Sequence, residues 1–169
     1  KELLCLVGKK LSDKEIEDRL SMMGAPVDTV LETELEVDVS PNRPDWLSEQ
    51  GLARALSSFV GAKTGLKQYK VAKERFQVVV DRAVNPVRPF TACAVVRGLK
   101  LDDEKIRAII QVQEKLHMTF CRNRKKAAIG IYPLEKIQFP ITYTAKKPQE
   151  IVFIPLESTR EMSAAQMLA

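Results

Sequence analysis

The sequence predicts an α+β fold in two parts: a small helical domain with a strand, then the first half of a larger mixed-sheet domain. Three observations carry this. Ser12-Asp13-Lys14-Glu15 forms a capping box, followed by Ile16, Leu20 and Met23 at helical spacing. Leu35, Val37 and Val39 alternate with Glu34, Glu36 and Asp38, the period of a half-buried strand. Beyond Phe76, short apolar alternations recur between proline-marked breaks.

The elements follow in order. Leu3, Leu4 and Val7 share one face of an opening helix. Gly24, with Pro26 just beyond, stops the second helix. After the acidic strand, Ser40-Pro41-Asn42-Arg43-Pro44 breaks all regular structure. Asp45 is the expected N-cap of a third helix running from Trp46 to Val60. Leu52, Leu56 and Phe59 form its apolar stripe and Gly61 ends it. Residues 1–65 are therefore read as one domain, the polar and basic stretch 66–75 as a linker, and 76–169 as the first part of a second domain.

In that second part Phe76, Val78 and Val80 alternate as a strand, and Ala92 to Val96 is expected to form another. Asp102 caps a helix in which Ile106, Ile109, Ile110, Gln113, Leu116 and Phe120 recur at three and four. Ala127 to Tyr132 reads as a buried strand, Ile141-Tyr143-Ala145 as an alternating one, and Ile151 to Ile154 as a last. Ser163-Ala164-Ala165-Gln166 is a second capping box only six residues before Ala169. So short a helix is marginal on its own, and the chain is expected to be cut short.

Composition narrows the function classes. With 45% hydrophobic and 29% charged residues the chain is globular, neither disordered nor fibrous. No apolar run approaches the ~20 residues of a membrane span. Cys5, Cys93 and Cys121 are odd in number and far apart, which gives neither a disulfide framework nor zinc-ligand spacing. Free thiols fit a reducing cytosol. The net charge of +5 mildly favours a polyanionic partner.

Catalytic constellations are mostly missing. No Gly-rich phosphate loop and no metal-ligand spacing occurs. His117 is the only histidine and is read as an ordinary packed or half-exposed side chain. Glu34, Glu36 and Asp38 share one strand face, read as a solvated surface in preference to a cation site. The run Arg122-Asn123-Arg124-Lys125-Lys126 leaves two readings open. Cations at a helix C-terminus offset the helix dipole. Equally, Arg122, Arg124, Lys125 and Lys126 are candidate contacts to RNA phosphates, which dominate affinity without reading sequence.

The run from Val37 to Ser48, containing Asn42-Arg43-Pro44-Asp45-Trp46, with Gly51-Leu52-Ala53-Arg54 after it, resembles the first domain of the beta chain of phenylalanyl-tRNA synthetases. A separate set resembles the opening of that family's editing domain. It comprises Val87-Arg88-Pro89-Phe90, Val95-Val96-Arg97-Gly98, Gln111 to His117, Arg122-Asn123-Arg124, Ala128 to Tyr132, Pro155-Leu156 and Arg160-Glu161-Met162. Only a few residues separate Val30 from Leu35, where bacterial beta chains carry an inserted oligonucleotide-binding fold, so the resemblance is to the archaeal or eukaryotic type.

The resemblance implies a cytoplasmic ligase for protein biosynthesis, built as a heterotetramer of two alpha and two beta chains acting on phenylalanine tRNA. ATP and magnesium would be cofactors of that parent complex, handled mainly by the alpha subunit, and none is expected in this chain. The editing pocket would need both halves of its domain, so the chain alone is expected to be inactive. A free-standing RNA-binding or trans-editing protein, or a scaffold docking to the alpha chain, are the alternatives.

Overall fold

The computed structural model describes residues 2–32, 34–73 and 75–169. Two compact units result. The first runs to Lys70 and takes in Lys100–Gly130; the second comprises Val71–Leu99 and Ile131–Ala169.

The first unit opens with α1 (Glu2–Val7) and α2 (Asp13–Met23). The Ser12 capping box is complete: the Ser12 hydroxyl accepts from the Glu15 amide, and the Glu15 carboxylate accepts from the Ser12 amide at 2.8 Å. Gly24 ends α2 at φ +86, a left-handed conformation open to glycine at no steric cost. Strands β1 (Val27–Val30) and β2 (Leu35–Val37) pair antiparallel, Val30 opposite Leu35 and Val27 opposite Val37, with a bulge between Val27 and Thr29. Sequence periodicity predicted β2 and passed over β1, whose four residues, one of them in a bulge, are too few to display a period.

The third helix differs from expectation. Pro44–Trp46 forms a 3-10 turn, and α3 (Glu49–Phe59) starts only after Ser48. Asp45 does not cap it, because its carboxylate is held by Arg43 through Nε at 3.0 Å and a second nitrogen at 2.7 Å. Ser48 caps instead, its hydroxyl accepting from the Gly51 amide at 3.0 Å.

Val7, Ile16, Leu20, Ala25, Trp46, Leu52, Ala53 and Leu56 make the core, with Leu35, Val37 and Val39 packed against it. Leu52 and Leu56 bury as the stripe predicts, whereas Phe59 is 46% exposed. Within this core the Ser57 hydroxyl donates to the Val7 carbonyl at 2.8 Å, supplying a partner that the end of α1 lacks.

In the same unit Asp102 caps α4 (Asp103–Met118), accepting from the Lys105 amide at 2.9 Å. The predicted apolar stripe is largely open: Ile106, Ile110 and Phe120 are exposed, and His117 is the one buried residue of the helix among those described. Ala127 to Tyr132 forms no strand, and Ile129, Ile131 and Tyr132 are exposed.

The second unit is built on β3 (Val78–Val80) and β4 (Ile141–Tyr143), paired parallel with Val78 opposite Ile141 and Val80 opposite Tyr143. The Asp81 amide extends the ladder to the Tyr143 carbonyl at 2.9 Å. The Asp81 carboxylate accepts from the Ala83 amide at 2.9 Å and from the Thr144 hydroxyl at 3.1 Å. These two bonds, the amide first, hold Asp81 below the ordinary aspartate range. Tyr143 donates its hydroxyl to the Arg88 carbonyl at 3.1 Å, and Phe76 stacks on Phe139 with ring centres 4.3 Å apart. Ala92 to Val96 is not a strand; among the described residues no neighbouring chain offers it a ladder. Short strands β5 (Val152–Phe153) and β6 (Met162–Ser163) pair antiparallel, and the Ser163 capping box opens α5 (Ala164–Leu168).

Residues 66–73 carry no helix or strand and are exposed; Glu74, within the stretch expected as a linker, lies outside the described residues. Among the described residues no helix is long and apolar enough to cross a membrane.

Candidate nucleic-acid interface

The basic run Arg122 to Lys126 follows α4 directly, and the backbone there is unusual. Arg122, Asn123 and Arg124 have φ values of +50, +54 and +63, three consecutive non-glycine residues in the left-handed region. Each such residue costs roughly 1–2 kcal/mol relative to the right-handed form, so the turn persists only where its surroundings impose it. The imposing contacts are visible. The Cys121 amide reaches back to the Leu116 carbonyl at 2.9 Å, and the Lys126 amide closes onto the Cys121 carbonyl at 2.9 Å. Cys121 itself is 2% exposed. The Arg124 guanidinium returns across the turn to both carboxylate oxygens of Glu114, at 2.5 and 2.7 Å.

Glu114 has a second partner. His117 Nδ1 lies 3.3 Å from the same carboxylate, and the His117 ring is 2% exposed. Its other nitrogen, Nε2, accepts from the Ile129 amide at 2.8 Å. An amide can only donate, so Nε2 carries no proton, and the ring proton resides on Nδ1, aimed at Glu114. One helical turn earlier, Gln113 Nε2 donates to the Ile129 carbonyl at 2.9 Å. Gln113 and His117 therefore satisfy both backbone groups of Ile129. This is why residues expected to pair as a strand lie along a helix instead: side chains of α4 supply the donor and acceptor that a neighbouring strand would have given. The Arg124 guanidinium first, and the His117 ring second, hold Glu114 below the ordinary carboxylate range.

The four cations thus have different surroundings. Arg122, Arg124, Lys125 and Lys126 are all exposed. Arg124 commits one terminal nitrogen of its guanidinium to Glu114. The Lys126 ammonium sits 3.9 Å from the centre of the Phe120 ring, which is itself 49% exposed. His117 is buried as an ordinary packed side chain. That it shares a helix face with Gln113 was readable in principle from their spacing of four.

The motif around Asn42 is a second candidate region. Arg43, paired with Asp45, also lies over Trp46, its guanidinium carbon 3.5 Å from the ring centre. Trp46 is 5% exposed, and its Nε1–H is buried without a hydrogen-bond partner among the described residues. Glu34, Glu36 and Asp38 lie on the exposed side of the hairpin region, and among the described residues no three His, Cys, Asp or Glu side chains converge as a metal site would require.

No family model matches the chain. Curated relatives and a solved structure do. The phenylalanine–tRNA ligase beta subunit of Archaeoglobus fulgidus is 42% identical over 168 residues, covering 99% of this chain. That of Methanosphaera stadtmanae is 35% identical over 167 residues, with the same coverage. A crystal structure of an N-terminal fragment of the phenylalanyl-tRNA synthetase beta subunit from Pyrococcus horikoshii superposes with a TM-score of 0.84 at 36% identity, over 99% of this chain. The chain belongs with the N-terminal region of phenylalanine–tRNA ligase beta subunits.

It spans 30% of the length of those two curated beta subunits and 49% of the solved beta-subunit fragment. The two sets of residues that carry the resemblance to the phenylalanyl-tRNA synthetase beta chain fall on distinct structures. Asn42 to Trp46 and Gly51 to Arg54 form the turn and helix α3 around Trp46. Gln113, Glu114, His117 and Arg124 form the linked end of α4.

Proposed function

We propose that this chain serves tRNA aminoacylation as part of a phenylalanine–tRNA ligase: it supports attachment of Phe to its tRNA and contributes half of a domain that removes Tyr from mischarged tRNA. The observation carrying this is the match to the beta subunit along 99% of the chain, in sequence and in fold alike. In the proposed organisation residues 1–65 are the first domain of the beta subunit, 66–75 a linker, and 76–169 the first part of the editing domain. The enzyme is cytoplasmic, a heterotetramer of two alpha and two beta chains, and phenylalanine tRNA is its macromolecular substrate.

Editing has a physical reason. A pocket shaped for Phe resists Tyr, an isostere with one added hydroxyl, by only about a hundredfold, and a second hydrolytic site supplies the remaining discrimination. ATP and magnesium belong to the parent complex. The residues of this chain do not fit them, since the described side chains offer no convergent acidic cluster and the sequence no phosphate loop. Within the chain, Arg122, Arg124, Lys125 and Lys126 are the proposed contact surface for the tRNA backbone.

The test is enzymatic. The purified 169-residue chain is assayed beside a complete beta subunit assembled with its alpha partner, for Phe-adenylate formation and for deacylation of Tyr-tRNA. The expected result is both activities in the complex and neither in the chain alone. Deacylation by the chain at a rate close to that of the complex would place the whole editing site upstream of Ala169 and overturn the half-domain assignment.

A further inference from the structure

We infer that the turn after α4 is a preorganised phosphate-binding loop with a division of labour: Arg122 and Lys126 meet the RNA backbone, while Arg124, Glu114 and His117 are positioning residues that hold the loop in its left-handed shape. This rests on the tRNA-contact reading of the basic run given above, and goes beyond it by narrowing the contact set to Arg122 and Lys126 and adding an acidic residue to the machinery.

The argument begins with geometry. Three successive left-handed residues do not form without restraint. The restraint is a closed chain of contacts. Arg124 grips Glu114 with both oxygens engaged, Glu114 lies against His117 Nδ1, His117 Nε2 accepts the Ile129 amide, and Gln113 closes the circuit on the Ile129 carbonyl. The loop is thereby tied to α4 on both flanks, at Arg124 before the lysines and at Ile129 after them. One terminal nitrogen of Arg124 takes both Glu114 oxygens, so part of this guanidinium is committed inside the protein and it is less available to a phosphate. Arg122, by contrast, is exposed at the first left-handed position. Lys126 stands over the half-exposed Phe120 ring, whose face leaves the ammonium donors available to an anion.

A loop whose shape is set before the ligand arrives avoids the ordering cost of binding. The consequence is a sign opposite to simple electrostatics. Replacing Glu114 by Gln makes the protein more positive beside a polyanion, and if charge alone mattered tRNA would bind more tightly. If Glu114 positions the loop, tRNA binds more weakly despite the added charge.

The experiment measures binding of an unmodified phenylalanine tRNA transcript to the whole chain across a salt series, for R122Q, K126Q, E114Q, R124Q, H117Q and H117A. The Glu114 side chain is 46% exposed, and circular dichroism checks that every variant keeps the fold. The expected result is that R122Q and K126Q each reduce the slope of log affinity against log salt by about one. E114Q weakens binding by roughly threefold with little change of slope, and R124Q in the E114Q background adds little more. H117Q, which retains an acceptor for the Ile129 amide, binds as the parent does; H117A loses affinity together with protection of that amide from hydrogen exchange. Tighter binding by E114Q, with R122Q and K126Q still flattening the slope, would overturn the positioning role and leave RNA contact standing. Unchanged slopes for R122Q and K126Q would overturn the RNA contact itself and the loop assignment with it.

Discussion

The carbonyl oxygen of Asp45 lies 1.9 Å from the point where a side chain on Gly51 would begin. The first turn of α3 therefore presses directly on the Asn42–Asp45 turn, and glycine is the only residue that leaves room. Backbone is not displaced as easily as the end of a flexible side chain. Gly51→Ala is expected to destabilise the first unit by about 1–3 kcal/mol through this overlap, although alanine is the better helix former. A fall in the urea midpoint with unchanged slope checks it; an unchanged or raised midpoint would mean the turn can retreat.

Trp46 lies behind that contact, with its ring in the core and Arg43 across its face. Trp46→Ala is expected to cost about 3–5 kcal/mol, the usual range for a buried aromatic. Trp46→Phe should cost far less, because the indole N–H it removes makes no hydrogen bond among the described residues. Equilibrium unfolding of the two variants side by side decides this. Equal losses would show that the N–H has a partner in solution.

Ser57 joins α3 to α1 through the Val7 carbonyl. Ser57→Ala removes the donor and leaves a buried acceptor at a helix end, a loss of about 1–3 kcal/mol. Thermal melting measures it, and amide exchange in α1 should quicken at the same time. If α1 keeps its protection, water has replaced the hydroxyl.

Acid should act on the second unit through Asp81. Its bonds to the Ala83 amide and the Thr144 hydroxyl hold its folded-state value below the ordinary aspartate value of 3.8. A carboxylate depressed in this way contributes stability that is fully present above 3.8 and is lost as pH falls through the lower folded value. The β3–β4 pair should thus keep this contribution above 3.8 and lose it progressively as pH falls below that. Asp81→Asn, which can still accept but cannot titrate, is expected to flatten this acid limb. An unaltered limb in the variant would assign it to other groups.

What the sequence made legible was local. The caps at Ser12, Asp102 and Ser163 were readable because donor and acceptor lie within three residues of each other. Asp45 was misassigned because its carboxylate has a nearer claimant in Arg43, and competition between two local partners leaves no mark on periodicity. Strands fared worse. Whether Ala92 to Val96 or Ala127 to Tyr132 is a strand depends on a remote ladder, and in the second case the partner is the Gln113–His117 face of a helix. At the candidate interface the charge of Arg122 to Lys126 was plain. The left-handed path and the Glu114–Arg124 link were not, since ten residues separate that pair and nothing in composition brings them together.

The parallel register of Val78 with Ile141 has a temporal consequence. Strand β3 leaves the ribosome dozens of residues ahead of β4, and parallel pairing offers it no hairpin partner meanwhile. Closing so long a loop costs chain entropy before any ladder bond repays it. The helices α1 to α3 with their hairpin need no residue beyond Gly61 for their core and can settle first. During synthesis, Phe76 to Val80 must wait as exposed apolar chain until Tyr143 emerges, the interval in which such a segment is most open to aggregation or to a chaperone.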